Sequence, residues 1–213
     1  MTYEDTLRRL GDTTAAAVGS LLELHAAGTI TTEQLAAALV DVLALAGGQG
    51  AALGELTYAA FMQTAAGSAP AELVTGQALA QGAATDTLTK AVETVLADDV
   101  AEWAGRLARL ATAEPIARSQ TAFHDAMIRD DRVDGWTRGL DSDACELCHW
   151  WSADGRIWPV EHRMPVHPGC VCTPVPTSAA YIPDTEYTRK LKRTRAGVAQ
   201  AERSKRERQN NGN

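Results

Sequence analysis

Every cysteine of this chain lies in one stretch: Cys145, Cys148, Cys170 and Cys172, in a sequence of 213 residues. The pattern reads Cys145-Glu146-Leu147-Cys148, then eighteen intervening residues, then His167-Pro168-Gly169-Cys170-Val171-Cys172. Disulfide staples are usually spread along a chain, whereas two close pairs that a loop can bring together form a metal site. Zinc takes four nitrogen or sulfur ligands in a tetrahedron, and structural sites often draw them as two pairs. The intervening segment is long enough for a hairpin. The spacing therefore predicts a structural Zn2+ site.

Five groups compete for four positions. The preferred set is Cys145, Cys148, His167 and one of Cys170 or Cys172, which share a face if that segment is extended. The rival set is all four cysteines, with His167 outside the ligand shell. His149 and His162 are lesser candidates. A fully ligated ion keeps no position open for water, which points to bracing instead of catalysis. A redox Cys-x-x-Cys would need a surrounding βαβ pattern, and none is evident. Residues 1–10 show no secretory apolar segment, so a reducing compartment is expected. No apolar run is expected to reach membrane-span length.

The first 129 residues predict an elongated helical domain. Leu7, Leu10, Thr14, Val18 and Leu21 recur at helical spacing. Thr31-Thr32-Glu33-Gln34 has the form of a capping box and should open a second helix. Leu35, Leu39, Val42 and Ala46 follow as one stripe. Gly47-Gly48-Gln49-Gly50 reads as a breaker, with a third helix over Ala51–Ala66. A further helix is expected from about Asp86 to Ala111, with Val92, Leu96, Val100, Trp103, Leu107 and Leu110 as its seam. Pro115 should stand in the first turn of another helix, with Ile116, Phe123 and Met127 inward. Alanine, at 39 residues, favours close helix contacts. Asp98-Asp99 and Asp130-Asp131 read as solvated surface, and His25 and His124 as packing or surface residues.

After residue 130 the composition changes. Four of the five tryptophans fall between 136 and 158, and prolines crowd the region beyond. This predicts a small α+β module of short strands and turns over 130–180, followed by a tail over 181–213. The fold class is thus mainly α, with the module and tail appended.

Charge divides the same way. Residues 1–188 carry 11 Lys+Arg against 25 Asp+Glu, and residues 189–213 carry 9 against 2. The tail presents Arg189, Lys190, Lys192, Arg193, Arg195, Arg203, Lys205, Arg206 and Arg208. With no aromatic residue interleaved, contacts would go to phosphates rather than base edges.

From Trp136 to Cys172 the sequence resembles the C-terminal signature of the phage Mu F-like minor head proteins. The matching residues are Asp143, Cys145, Cys148, Gly155, Pro165, His167, Pro168, Cys170 and Cys172. Those proteins usually place arginine between the last two cysteines, where this chain has Val171. The resemblance implies a virion protein of few copies, inside the head near the portal after assembly in the host cytoplasm. Its implied partners are the portal protein, the major capsid or scaffolding protein, and double-stranded DNA at the basic tail. No membrane and no enzymatic activity are implied.

Other function classes find less purchase. The phosphate-loop pattern and the His-Glu-x-x-His pattern are missing, and the glycines near residue 50 do not fit a dinucleotide fingerprint. A zinc-dependent treble-clef nuclease would need a histidine beside a hydrolytic metal, a role open only to His162 or His149. A zinc-finger DNA-binding regulator would need a basic recognition helix, but the cysteine segment is acidic and tryptophan-rich.

Overall fold

The computed structural model describes residues 2–67, 85–179 and 182–196. The chain is mainly helical, with a small three-stranded sheet in its C-terminal region. Helix α1 spans Tyr3–Ala26 and α2 spans Thr32–Ala66. Both begin at threonine caps. Thr31 Oγ1 accepts from the Gln34 N–H while Gln34 Oε1 accepts from the Thr31 N–H, the reciprocal box the sequence predicts. Between the two helices Gly28 adopts φ +70°, a conformation that suits glycine.

The glycine run does not end α2, contrary to expectation. The helix continues through Gly47–Gly50 to a left-handed cap at Gly67. The reason is tertiary. A Cβ on Gly50 would lie 2.1 Å from the Pro115 carbonyl oxygen, and one on Gly54 would lie 2.2 Å from that of Ser119. Gly11 of α1 meets Thr112 in the same way. These glycines let backbones touch, and the packing outweighs their poor helix propensity of about 1 kcal/mol each.

Two further expectations are corrected. The helix placed at 86–111 is divided into α3, Thr85–Leu96, and α4, Val100–Ile128. Asp99 caps α4 by accepting the Ala101 N–H, and Asp98 pairs with Arg106. The two acids thus form a helix junction instead of a merely solvated patch. Pro115 lies inside α4, not at the start of another helix. It sits among the residues that face the glycines of α1 and α2, where neighbouring backbone encloses it.

Among the described residues the core has three clusters besides that of the cysteines. Val18, Leu35, Leu39, Leu43, Val92, Leu107 and Ala111 join the four helices. Each buried large aliphatic side chain contributes about 1.5–3 kcal/mol relative to exposure. Tyr58, Met62, Phe123 and Met127 continue into Val133, Trp136 and Met164. Leu7, Ile116 and Val171 form the third cluster. The last two clusters cross position 130, so the sheet region and the helices share an interior. By length and hydropathy alone α2 could cross a membrane, which corrects the expectation that no segment reaches that size. Its Leu35, Leu39 and Leu43 are fully buried against the other helices.

In the sheet, β1 (Gly135–Gly139) is central, between β2 (Trp158–Pro159) and β3 (Thr173–Thr177), all antiparallel. Pro174 and Pro176 are tolerated because β3 is an edge strand. Helix α5, Glu146–Ser152, follows β1, and residues 186–196 are helical.

Candidate metal centre

The first pair of cysteines is set by the start of α5. Cys145 caps the helix and Cys148 lies in its first turn. The second group is set by a turn. Cys170 N–H donates to the His167 carbonyl at 3.1 Å, and Gly169 has φ +79°. Proline followed by left-handed glycine is the chemistry of a type II turn, so His-Pro-Gly-Cys folds His167 back beside Cys170. Beyond it the chain alternates. Cys170 and Cys172 enter the sulfur cluster, while Val171 packs on Leu7 and Ile116. Val171 is therefore a core residue joining the cysteine segment to α1 and α4.

All five predicted donors converge. His167 Nε2 lies 3.1 Å from Cys145 Sγ and 3.2 Å from Cys148 Sγ, and Cys148 Sγ lies 3.5 Å from Cys170 Sγ. Cys148 belongs to both compact triads, one with Cys145 and His167, the other with Cys170 and Cys172. Sulfurs around a tetrahedral zinc at about 2.3 Å stand about 3.8 Å apart. The cluster has that scale and could hold a metal ion. Cys148, Cys170 and Cys172 are buried, and Cys145 is exposed.

The electrostatics fit a cation. Burial pushes the Cys148 thiol up to about 12, against the opposing pull of Arg138. Burial also raises Cys172. Cys145 is lowered, first by the Cys148 backbone N–H. A divalent ion supplies the positive charge that lets buried sulfurs ligate as thiolates.

Three residues that sequence reasoning missed hold this arrangement. Gln120 of α4 donates to the carbonyls of Cys170 and Cys172 at 2.7 and 3.0 Å. Arg8 of α1 pairs with Asp141 and Asp143 in the approach to Cys145. Arg138 of β1 reaches the sulfurs of Cys148 and Cys170. Only Arg138 had a local signal, since strand alternation puts it on the same face as Trp136.

The lesser histidines lie elsewhere. His149 is exposed on α5. His162 stacks on Trp158 at 4.5 Å, and its Nδ1 lies 2.9 Å from Thr185 Oγ1. Burial lowers its pKa. His25 packs against Trp103, and His124 is buried near Trp136.

In the tail, Arg189, Lys190, Lys192, Arg193 and Arg195 are exposed on the helical segment 186–196. Lys192 pairs with Asp184 at 2.7 Å, and Arg189 donates to the Asp184 carbonyl. Thr188, fully buried, and Tyr187, edge-on to His162, dock the segment on the module. Arg203, Lys205, Arg206 and Arg208 lie outside the described residues.

A family model described as VG15 protein matches residues 1–194. The chain belongs to that family, a viral (phage) gene-product family. No curated protein and no solved structure matches it.

Proposed function

We propose that this phage-family protein is a structural minor capsid protein of the head-morphogenesis kind, associated with the portal inside the virion. The observation that carries the reading is the convergence of Cys145, Cys148, His167 and Cys170 in a chain whose viral family match runs from the helices through that cluster. The Mu F-like resemblance of the same residues gives the reading its specific form. Membership alone supports the coarser statement, a phage protein.

In this reading the four named residues hold a zinc ion, which braces a module rich in loops. Cys172 stays outside the ligand shell, buried beside Cys148 and Cys170. With four protein ligands the ion has no reactive position, so the centre is structural and the protein is not an enzyme. The exposed cations of 186–196, continued by those beyond 200, contact phosphates of packaged DNA, with strong salt dependence. The helical region meets the portal, major capsid or scaffolding protein. Assembly takes place in the host cytoplasm.

The nuclease alternative draws little support from the histidines. His162 is engaged with Trp158 and Thr185, and a hydrolytic centre needs an open ligand position. The regulator alternative is served no better, because α5 carries Glu146 and tryptophans instead of a basic face.

Quantitative mass spectrometry of purified particles tests the proposal. The expected result is a few copies of the chain per portal. Absence from both mature particles and assembly intermediates would overturn it, and nuclease and DNA-binding assays of the isolated protein would then decide between the alternatives.

A further inference from the structure

Arg138 presents an unusual environment for a permanent cation. It is 6 % exposed. One terminal nitrogen lies 3.3 Å from Cys148 Sγ and 3.4 Å from Cys170 Sγ. The other donates to the Pro165 carbonyl at 2.7 Å. The guanidinium carbon stands 4.9 Å over the ring of Trp151. A guanidinium does not deprotonate in proteins, and a buried charge needs compensation. No carboxylate pairs with Arg138 among the described residues, where the ion pairs engage other arginines and Lys192. The groups beside it are sulfurs. Neutral thiols do not offset a buried cation, but metal-bound thiolates do.

We propose that Arg138 is a positioning and charge-balancing residue of the metal centre, donating N–H···S bonds to Cys148 and Cys170. The inference rests on the zinc reading above and extends it to the ligand set. Three thiolates and a neutral imidazole around a divalent ion sum to −1, and Arg138 brings the ensemble to zero. Four thiolates would leave it at −1. Charge balance thus selects three cysteines with His167 over four cysteines, and the bond from Arg138 to the Cys170 sulfur makes Cys170 the third. The two N–H···S bonds also draw electron density from the sulfurs they reach, and so protect those two from electrophiles. Lysine cannot reproduce this arrangement, because a point charge lacks the planar fork that spans two sulfurs and a carbonyl while lying over Trp151.

The test compares full-length wild type with Arg138→Gln and Arg138→Lys. Zinc affinity is measured by competition with a chromophoric chelator. The zinc-loaded proteins are treated with iodoacetamide, and alkylation is followed at each cysteine by mass spectrometry. Arg138→Gln is expected to weaken zinc binding about 10–100-fold, the usual effect of losing a residue that orients a ligand. Its alkylation is expected to accelerate at Cys148 and Cys170 more than at Cys145, a selectivity that general loosening of the fold would not produce. Unchanged affinity with an unchanged alkylation pattern overturns the proposal. If Arg138→Gln does not fold, Arg138→Lys decides through the cobalt-substituted protein. A shifted thiolate-to-cobalt charge-transfer band with weaker binding supports the proposal, and a band and affinity identical to wild type overturn it. Wild type that binds neither zinc nor cobalt removes the metal reading itself, and the Arg138 proposal with it.

Discussion

Gln120 holds Cys170 by its backbone: the side-chain amide, 6 % exposed on α4, donates to the Cys170 carbonyl at 2.7 Å. The same nitrogen reaches the Cys172 carbonyl at 3.0 Å. The helical bundle therefore sets the position of the second cysteine pair directly. Gln120→Leu would leave two buried carbonyls without this donor, each worth about 1–3 kcal/mol if no replacement is found. The expected result is a destabilised zinc-loaded protein that releases its metal to a chelator more readily. Unchanged denaturation and unchanged metal release would show that the bundle does not support the site.

Gly50 of α2 and Gly19 of α1 should respond in opposite directions to alanine. Gly50→Ala places a methyl 2.1 Å from the Pro115 carbonyl oxygen, so α2 and α4 must separate. Overpacking of this kind costs about 1–3 kcal/mol or more. Gly19 lies within α1 with nothing within 4 Å of its added Cβ. Gly19→Ala should stabilise by about 0.5–1 kcal/mol through helix propensity. Thermal unfolding of the two variants beside wild type checks the contrast, and equal shifts would refute the packing explanation.

Asp130 gives the fold an acid-sensitive lock. Its carboxylate accepts from the Tyr58 hydroxyl at 2.8 Å and from the Arg132 guanidinium. Arg132 lowers its pKa to about 2 from the ordinary 3.8, with Tyr58 assisting. A pKa depressed on folding contributes stability that is present above 3.8 and lost as pH falls toward 2. Asp130→Asn should lose about 1–3 kcal/mol at neutral pH and show a smaller further loss between pH 4 and 2. Denaturation curves across that range would sink the assignment if variant and wild type fell in parallel.

His124 acts in a higher window. Burial, reinforced by Arg163, lowers its pKa from 6.5 to about 4, against the opposing pull of Asp125 and of the Val160 backbone. The unfolded chain therefore takes up a proton before the folded one does. Stability should be full above pH 6.5 and decline as pH falls toward 4. His124→Gln should flatten the difference between pH 7 and pH 4.5 relative to wild type. A nitrogen-15 titration of the imidazole gives the same answer directly, and an ordinary midpoint near 6.5 would contradict it.

Legibility from the sequence varied with the range of the cause. The capping box at Thr31 is local chemistry, and the structure forms it. The convergence of the five donors follows from spacing, and the structure brings them together. The glycine run misled because its role depends on Pro115, which Gly50 meets from more than sixty residues away in the chain. Pro115 misled for the same reason. Asp99 was a cap hidden in what looked like a continuous helical stripe. Gln120 and Arg8 carry no motif, and only the fold places them beside the cysteine segment.

Zinc K-edge X-ray absorption on the purified full-length protein reads the closed thiolate and imidazole centre itself. The expected result is a zinc shell of three sulfurs at about 2.3 Å and one nitrogen at about 2.0–2.1 Å. A metal-free protein after purification with zinc, or a shell containing bound water in place of these ligands, would contradict it.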